Sequence, residues 1–178
     1  MNLKKSGSYI DEMLRQTRMH HVQLSSMADV KANMLLTMSS VLITLAAPQL
    51  TKAHIRLPFI ILIIFCLLTI VLAAYSAMPK ISLKNKNHSN INVKSPTFNL
   101  LFFGDFSQLD YDQYEQAMAE IMGEPDLTYE AQIKELYILG KYLATKKYFL
   151  LRLAYLTFIV GLVASGLGVL AGQILGVN

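Results

Sequence analysis

The sequence predicts an all-α membrane protein with three transmembrane helices. A cytoplasmic helical bundle would be formed by extensions of the first and third spans plus a short helix. Of the 178 residues, 53% are hydrophobic and only 16% are charged, which is unusually apolar for a soluble domain. Three runs without charge, residues 32–50, 57–78 and 153–177, contain 19, 22 and 25 residues. At about 1.5 Å per residue, each helix would cross the roughly 30 Å hydrocarbon core.

The distribution of basic residues predicts the orientation of these spans. If the first span starts in the cytoplasm, 14 of the 16 Lys and Arg residues lie inside, and only Lys52 and Arg56 lie outside. By the positive-inside rule the N-terminus is cytoplasmic and the C-terminus lies on the outer side of the membrane. The net charge of +4 is then explained by topology and by attraction to anionic membrane lipids, with no nucleic-acid partner required.

The first element is a cytoplasmic amphipathic helix over residues 8–31, in which apolar or small side chains recur at alternating spacings of four and three. Since no proline or glycine interrupts the pattern before Pro48, we expect one continuous helix from Ser8 to about Ala47. After a short outer hairpin, Pro58 opens the second span, where its missing N–H costs little.

Residues 79–97 are predicted to be a polar cytoplasmic loop, and residues 98–152 a cytoplasmic helical region. The apolar segment 98–106 is too short to span, so it either packs as a plug in the bundle, which we favour, or lies in the membrane interface. Asp110 and Gln113 predict a capped helix from Tyr111 to Met122.

A last helix is predicted from about Thr128 to near Gly172, continuous with the third span. Small side chains on this span form a surface suited to close helix contact, within one chain or between copies. These small residues are Gly161, Ala164, Ser165, Gly168, Ala171 and Gly172.

The sequence lacks the residue patterns of catalysis. The four histidines have no metal-ligand spacing, and the single cysteine, Cys66, lies in the second span. No nucleophile motif, phosphate-binding glycine loop or acidic cluster is present. We therefore expect no enzymatic activity, no metal and no cofactor. Because no ionisable residue lies deep in a span, a proton-coupled carrier is also disfavoured.

Charged residues at the inner membrane boundary predict a joint between helices. Asp29 and Lys31 are two positions apart, point to nearly opposite faces of a helix and cannot pair. Asp29 therefore requires a cation from the last helix, and the candidates are Lys147 and Arg152. For Lys31 and Arg152 the alternative is that their side chains extend toward lipid headgroups.

Basic and aromatic residues further from the membrane predict a ligand pocket. Arg15 and Arg18 on the first helix could share a cavity with Tyr137 and Lys141 on the last, capped by Phe103 or a neighbouring phenylalanine. Cations suit a phosphate and rings suit a planar base. An aromatic core with a solvated basic face is the alternative. The predicted ligand-binding residues are Arg15, Arg18, Lys31, Phe103, Tyr137 and Lys141.

Three stretches resemble the membrane effectors of Pycsar antiphage systems: MADVKANMLL from Met27, NLLFFGDFSQLDYDQYEQAM from Asn99 and ELYILGKYLATKKYFLLRLAYLTFIVGL from Glu135. Those effectors carry an AD-x-KA-x-x-LL motif, a Leu-Phe-rich segment before a Tyr-containing helix, and a Lys-Tyr-rich helix before the last span. Here the first motif falls on Ala28, Asp29, Lys31, Ala32, Leu35 and Leu36.

The resemblance implies a bacterial inner-membrane protein that works with a pyrimidine cyclase. It would sense a 3′,5′-cyclic pyrimidine mononucleotide, cCMP or cUMP, and would then impair the membrane. The infected cell would die as a result, a response called abortive infection. We expect a homo-oligomer. One alternative is a membrane-anchored scaffold or assembly subunit without ligand sensing, and another is a constitutive, holin-like pore.

Overall fold

The computed structural model describes residues 7–78, 93, 95 and 98–174, and within them it contains helices and no strand. The α-helices are α1 (Ser8–Ala46), α2 (Arg56–Ala77), α3 (Phe103–Phe106), α4 (Tyr111–Gly123), α5 (Pro125–Tyr142) and α6 (Tyr148–Ile174). Three helical stretches are long and apolar enough to cross a membrane. The predicted all-α class with three spans is confirmed, and the cytoplasmic bundle stays a prediction. Nearly all of the predicted loop 79–97 and the last residues of the third span lie outside the described residues.

The chain divides into two compact units. One, here called the polar unit, comprises residues 1–23 and 79–142, and the other, the span unit, comprises residues 24–78 and 143–178. The polar unit contains the start of α1 together with α3, α4 and α5, whereas the span unit contains the rest of α1 with α2 and α6.

Prolines mark the helix boundaries at the connection between α1 and α2. Helix α1 ends at Ala46, and the next five residues, Ala47–Thr51, form a 3₁₀-helix with a proline in its first turn. A second 3₁₀ turn, Ala53–Ile55, leads into α2, whose first turn holds Pro58 buried. A proline there costs little because the first N–H groups of a helix have no intrahelical acceptor.

The core of the span unit is built on one face of α1. Ala28, Ala32 and Leu35 are at most 1% exposed, and their spacings of four and three place them on the same side of the helix. They pack in one cluster with a residue from α2 and three from α6: Ala73, Leu151, Ala154 and Phe158. The two alanines let the helix backbones approach closely, which accounts for the small residues of the AD-x-KA-x-x-LL motif.

The small residues of α6 pack against α2 within the same chain. A Cβ added at Gly161 would lie 2.4 Å from the Cβ of Phe65, and one added at Gly168 would lie 3.1 Å from Cγ of Pro58. Real Cβ atoms do not approach as closely as 2.4 Å, so Gly161 has no room for a side chain, and at Gly168 a side chain would fit only if Pro58 shifted by a few tenths of an ångström. At least part of the small-residue surface is therefore used inside one chain.

In the polar unit, helix starts follow their local sequence. Asp110 and Gln113 form a reciprocal capping box at the start of α4, which ends at Gly123. Helix α5 begins at Pro125, three residues before the predicted start near Thr128, because proline is favoured in the first turn. The Tyr129 hydroxyl donates a 2.7 Å hydrogen bond to Asp11 of α1.

The predicted long last helix is confirmed as one helical stretch, Pro125–Ile174, and a π-helical turn, Leu143–Lys147, lies within it between α5 and α6. A π-turn inserts one extra residue into the helical repeat and changes which side chains face inward. Here both Leu143 and Lys147 are buried. Sequence periodicity missed the turn because its residues still follow an approximate three-four pattern.

Candidate functional site

The first candidate site is an ion pair within the span unit. Nζ of Lys147 lies 2.7 Å from Oδ2 of Asp29 and donates a second hydrogen bond, of 2.8 Å, to Oγ of Ser25. The Lys147 side chain is 8% exposed and that of Asp29 is 42% exposed. Of the two cations that the sequence offered to Asp29, Lys147 is the partner, whereas Arg152 is exposed.

Lys147 connects all three helices of the span unit. Its side chain contacts α1 through Asp29, and its backbone carbonyl accepts a 3.0 Å hydrogen bond from Oγ of Ser76 on α2. The adjacent Tyr148 hydroxyl donates a 3.0 Å hydrogen bond to the carbonyl of Leu24. These bonds fix the register of α6 against α1 and α2 at the π-turn. Functional sites often coincide with such turns.

One oxygen of Asp29, Oδ1, is buried and has no hydrogen-bond partner within the described part of the chain. The Lys147 ammonium and the Asp29 carboxylate therefore stabilise each other, and removal of either charge would leave the other one without its main stabilising contact. Lys31, two residues along α1, is exposed. The opposite directions predicted for Asp29 and Lys31 agree with this difference in burial.

The second candidate site is a cavity of about 550 Å³ inside the polar unit. This volume falls in the range of roughly 300–1,000 Å³ typical of small-molecule pockets. The cavity is bounded by α4, α5 and the segment before α3. Its polar and aromatic lining consists of Phe98, Asn99, Gln113, Gln116, Glu120, Glu130 and Lys134.

Two of these residues hold the segment before α3 in place. Nζ of Lys134 donates a 2.8 Å hydrogen bond to the carbonyl of Ser95. Oδ1 of Asn99 accepts a hydrogen bond from the N–H of Leu101, and the N–H of Asn99 donates to the carboxylate of Asp105. The Lys134 bond is to a neutral carbonyl, so it does not neutralise the ammonium charge on the cavity wall.

The lining groups comprise one ring, several amides, one ammonium and two carboxylates, so they offer stacking, hydrogen bonds and one cationic contact to a small ligand. A carboxamide such as that of Gln116 can both donate and accept hydrogen bonds, as the edge of a pyrimidine requires. The Phe98 ring offers a stacking surface, and the Lys134 ammonium offers a charge-assisted bond to a phosphate. Carboxylates such as Glu130 can accept hydrogen bonds from sugar hydroxyls.

The structure distributes the sequence-predicted ligand residues differently, and none of the six lines this cavity. Arg15 is exposed and pairs with Glu12 at 2.8 Å on the same helix. Phe103 is 55% exposed, and its ring centroid lies 4.9 Å from that of Phe102. Lys31 belongs to the span unit. Their role in ligand binding stays a prediction.

The other three predicted residues form two separate contacts in the polar unit. Arg18 lies 3.0 Å from the carboxylate of Glu135, whose side chain is 12% exposed. Burial raises the pKa of Glu135, and the nearby Arg18 charge partly opposes that rise. Nζ of Lys141 lies 5.7 Å above the Tyr137 ring, a cation–π distance. Arg18 is thus used in an ion pair with a buried acid that sequence reasoning did not single out.

A sequence signal for the cavity did exist. Gln113, Gln116 and Glu120 recur at spacings of three and four along α4, and Glu130 and Lys134 are four apart on α5. Such stripes lie on one face of each helix. They are normally interpreted as solvated faces, and only the packing of α4 against α5 shows that both stripes border one open cavity.

Together these features define a class: a helical membrane protein with three spans and a polar unit that contains a small-molecule-sized cavity. Among the described residues, no group of three or more His, Cys, Asp or Glu side chains could hold a metal ion. The family model of the Pycsar effector protein domain matches residues 12–172. The chain therefore belongs to the Pycsar effector family, antiphage effectors with a transmembrane domain, as its resemblance indicated. No curated protein and no solved structure matches it.

Proposed function

We propose that this protein is an effector of the bacterial inner membrane that a cyclic pyrimidine mononucleotide activates. Once activated by cCMP or cUMP, a homo-oligomer of the chain impairs the membrane and causes abortive infection. A pyrimidine cyclase supplies the nucleotide, and the effector itself performs no catalysis. The distribution of Lys and Arg supports a cytoplasmic N-terminus and a periplasmic C-terminus.

The observation that carries the proposal is the polar-unit cavity in a chain of this family. Its volume of about 550 Å³ suits a mononucleotide. We assign the phosphate to the Lys134 ammonium, the base to Phe98 and the Gln116 carboxamide, and the ribose to the carboxylate of Glu130. Each assignment matches a donor, an acceptor or a ring to one part of the nucleotide.

The response to the nucleotide would pass through α1. This single helix, Ser8–Ala46, contributes residues to both units. A helix without interruption transmits a displacement along its axis better than a jointed segment does. A ligand that binds one arrangement of the polar unit more tightly would therefore shift the population of α1 positions. Within the span unit, the contact that reports such a shift is the Asp29–Lys147 pair.

The proposal is tested with purified protein, first in detergent and then in liposomes. Isothermal titration calorimetry with cCMP, cUMP and cAMP measures binding, and release of an entrapped dye measures membrane damage. We expect one cyclic pyrimidine nucleotide to bind and to trigger release, while cAMP does neither. Binding without release would contradict the membrane role. Release without any nucleotide would favour a constitutive pore, and no binding at all would favour the scaffold alternative.

Two variants locate the site. Lys134→Gln removes a charge from the cavity wall, and a lost charge-assisted hydrogen bond of about 1.5–3 kcal/mol lowers affinity by roughly 10- to 150-fold. Lys141→Gln removes the same charge from the same helix outside the cavity, and it should bind normally. If Lys141→Gln weakens binding and Lys134→Gln does not, the ligand occupies the site predicted from the sequence instead.

A further inference from the structure

In the polar unit, α5 borders both the cavity and the first part of α1. Glu130 and Lys134 of α5 line the cavity. The residues beside them in the sequence, Tyr129 and Glu135, make polar contacts with α1. Within the described part of the chain, no residue of α1 lines the cavity. A ligand in the cavity would therefore touch α5 directly and would reach α1 only through another element.

The two sets of residues lie on different faces of α5. At about 100° per residue, the α5 residues that line the cavity fall within a sector of about 100°. They are Leu127, Glu130, Ala131 and Lys134. Tyr129 and Gly140 lie about 150° and about 130° from the middle of that sector, and Glu135 lies about 90° from it. A Cβ added at Gly140 would lie 3.1 Å from Cε1 of His21, so this imidazole of α1 packs closely on the α5 backbone. Helix α5 therefore has the cavity on one side and α1 on the other.

Two polar contacts attach α1 to α5. Nη2 of Arg18 lies 3.0 Å from Oε1 of Glu135, whose side chain is 12% exposed. The Tyr129 hydroxyl donates a 2.7 Å hydrogen bond to Oδ1 of Asp11, which lies seven residues before Arg18 on α1. At about 1.5 Å per residue, the two contacts are about 10 Å apart along α1. Attachment at two separated points opposes both sliding and tilting of one helix against the other.

Of these two contacts, the ion pair depends more on the approach of the two helices. Asp11 is exposed, so water can replace part of its hydrogen bond to Tyr129. The Glu135 carboxylate is largely removed from water, and a charge in such a position requires a nearby counter-charge. Arg18 supplies that charge. Movement of α5 away from α1 would strand the carboxylate, so the pair favours joint movement of the two helices.

We propose that the Arg18–Glu135 pair couples the cavity to α1, so that a ligand which shifts α5 also shifts the first part of α1. The inference rests on the proposed function and adds the contact by which the bound nucleotide acts. A nucleotide held by Glu130 and Lys134 would favour one position of α5 over others, and α1 would follow because it keeps its contact with Glu135. Arg18 and Glu135 are positioning residues, since neither lines the cavity.

Substitutions that remove the pair test this coupling. Arg18→Gln and Glu135→Gln each remove one charge, whereas Arg18→Lys keeps a cation opposite Glu135. Arg15→Gln is the matched control, because Arg15 lies on the same helix and pairs with Glu12 in an exposed position. Hydrogen exchange of the amides in residues 8–23 is measured in detergent, with and without saturating cCMP or cUMP. Calorimetry measures binding of the same nucleotides, and dye release is measured in liposomes.

In the wild type, Arg18→Lys and Arg15→Gln, the nucleotide should bind, change the α1 exchange rates several-fold and trigger dye release. Arg18→Gln and Glu135→Gln should still bind the nucleotide, which also shows that the polar unit is folded. Both should lose most of the change in α1 exchange and most of the dye release. This combination of retained binding and lost response distinguishes coupling from a purely structural role.

Several outcomes would overturn the inference. It is wrong if the two glutamine variants respond like the wild type or bind no nucleotide, or if Arg15→Gln or Arg18→Lys loses the response to the same extent. It is also wrong if either glutamine variant releases dye without nucleotide, since the pair would then restrain α1 instead of transmitting a signal.

Failure of the proposed function gives a different pattern. If the wild type binds neither nucleotide, the proposed function is wrong, and the inference that rests on it is wrong as well. If the nucleotide changes α1 exchange only when the pair is present but no dye is released, the membrane role is wrong and the coupling stands. If the wild type binds nucleotide and releases dye while α1 exchange is unchanged, the function stands and the coupling is wrong.

Discussion

Replacing Lys147 with methionine should destabilise the span unit by removing the only cation bonded to Asp29 in the described structure. Breaking a fully buried pair costs about 3–5 kcal/mol, and breaking an exposed pair costs about 0–1 kcal/mol. Here Lys147 is 8% exposed, but Asp29 is 42% exposed, so water can partly solvate the stranded carboxylate. An intermediate cost of about 2 kcal/mol is expected, which is roughly a 30-fold increase in the unfolding equilibrium constant.

The single thiol of the chain provides the assay. Cys66 is 2% exposed and lies in the same unit as the ion pair, so its labelling by a thiol reagent reports opening of the span unit. Labelling is followed in detergent micelles while the fraction of a denaturing detergent is raised. Lys146→Met is the matched control, because Lys146 is the preceding residue and is exposed. It should leave the labelling midpoint unchanged.

A double-mutant cycle isolates the pair itself. Asp29→Asn strands the Lys147 ammonium and should also destabilise the unit, whereas combining both substitutions removes both charges. The combined loss should therefore be smaller than the sum of the single losses by about 1–2 kcal/mol. The reasoning is refuted if Lys147→Met labels like Lys146→Met, or if the two single losses simply add.

Two further predictions concern packing and hydrogen bonding. Gly161→Ala should destabilise the span unit by about 1–3 kcal/mol, because the new Cβ would lie 2.4 Å from the Cβ of Phe65. Gly166→Ala is the control and should not destabilise the unit, because a Cβ there would have no neighbour within 4 Å. Equal labelling midpoints for the two variants in the Cys66 assay would contradict this prediction. Tyr129→Phe loses the 2.7 Å bond to the α1 carboxylate and should destabilise the polar unit, by less than a fully buried bond would because Asp11 is exposed and water can replace part of the interaction. Tyr111→Phe is its control, because Tyr111 is 73% exposed. The two variants are compared by the hydrogen-exchange rates of the α5 amides, and equal rates would contradict a stabilising role for the Tyr129 bond.

Local sequence determined most of the helices. The absence of proline and glycine between Ser8 and Ala46 permits one long helix, and the Asp110–Gln113 pair marks the start of α4. The charge-free runs identified the spans because a bilayer requires about 20 consecutive apolar residues per helix. These features depend on residues close together in the chain, so a single sequence is enough to recognise them.

The tertiary structure decided which distant residues meet. Lys147 and Arg152 were both candidates for Asp29, and only packing, together with a π-turn at Leu143–Lys147, selects Lys147 across 118 positions of sequence. The cavity likewise depends on how α4, α5 and the segment before α3 come together. Periodicity assigns a residue to a face of its own helix, but the partner of that face is set by interactions summed over the whole fold. The sequence therefore predicted helices and a membrane role, and the structure supplied their contacts.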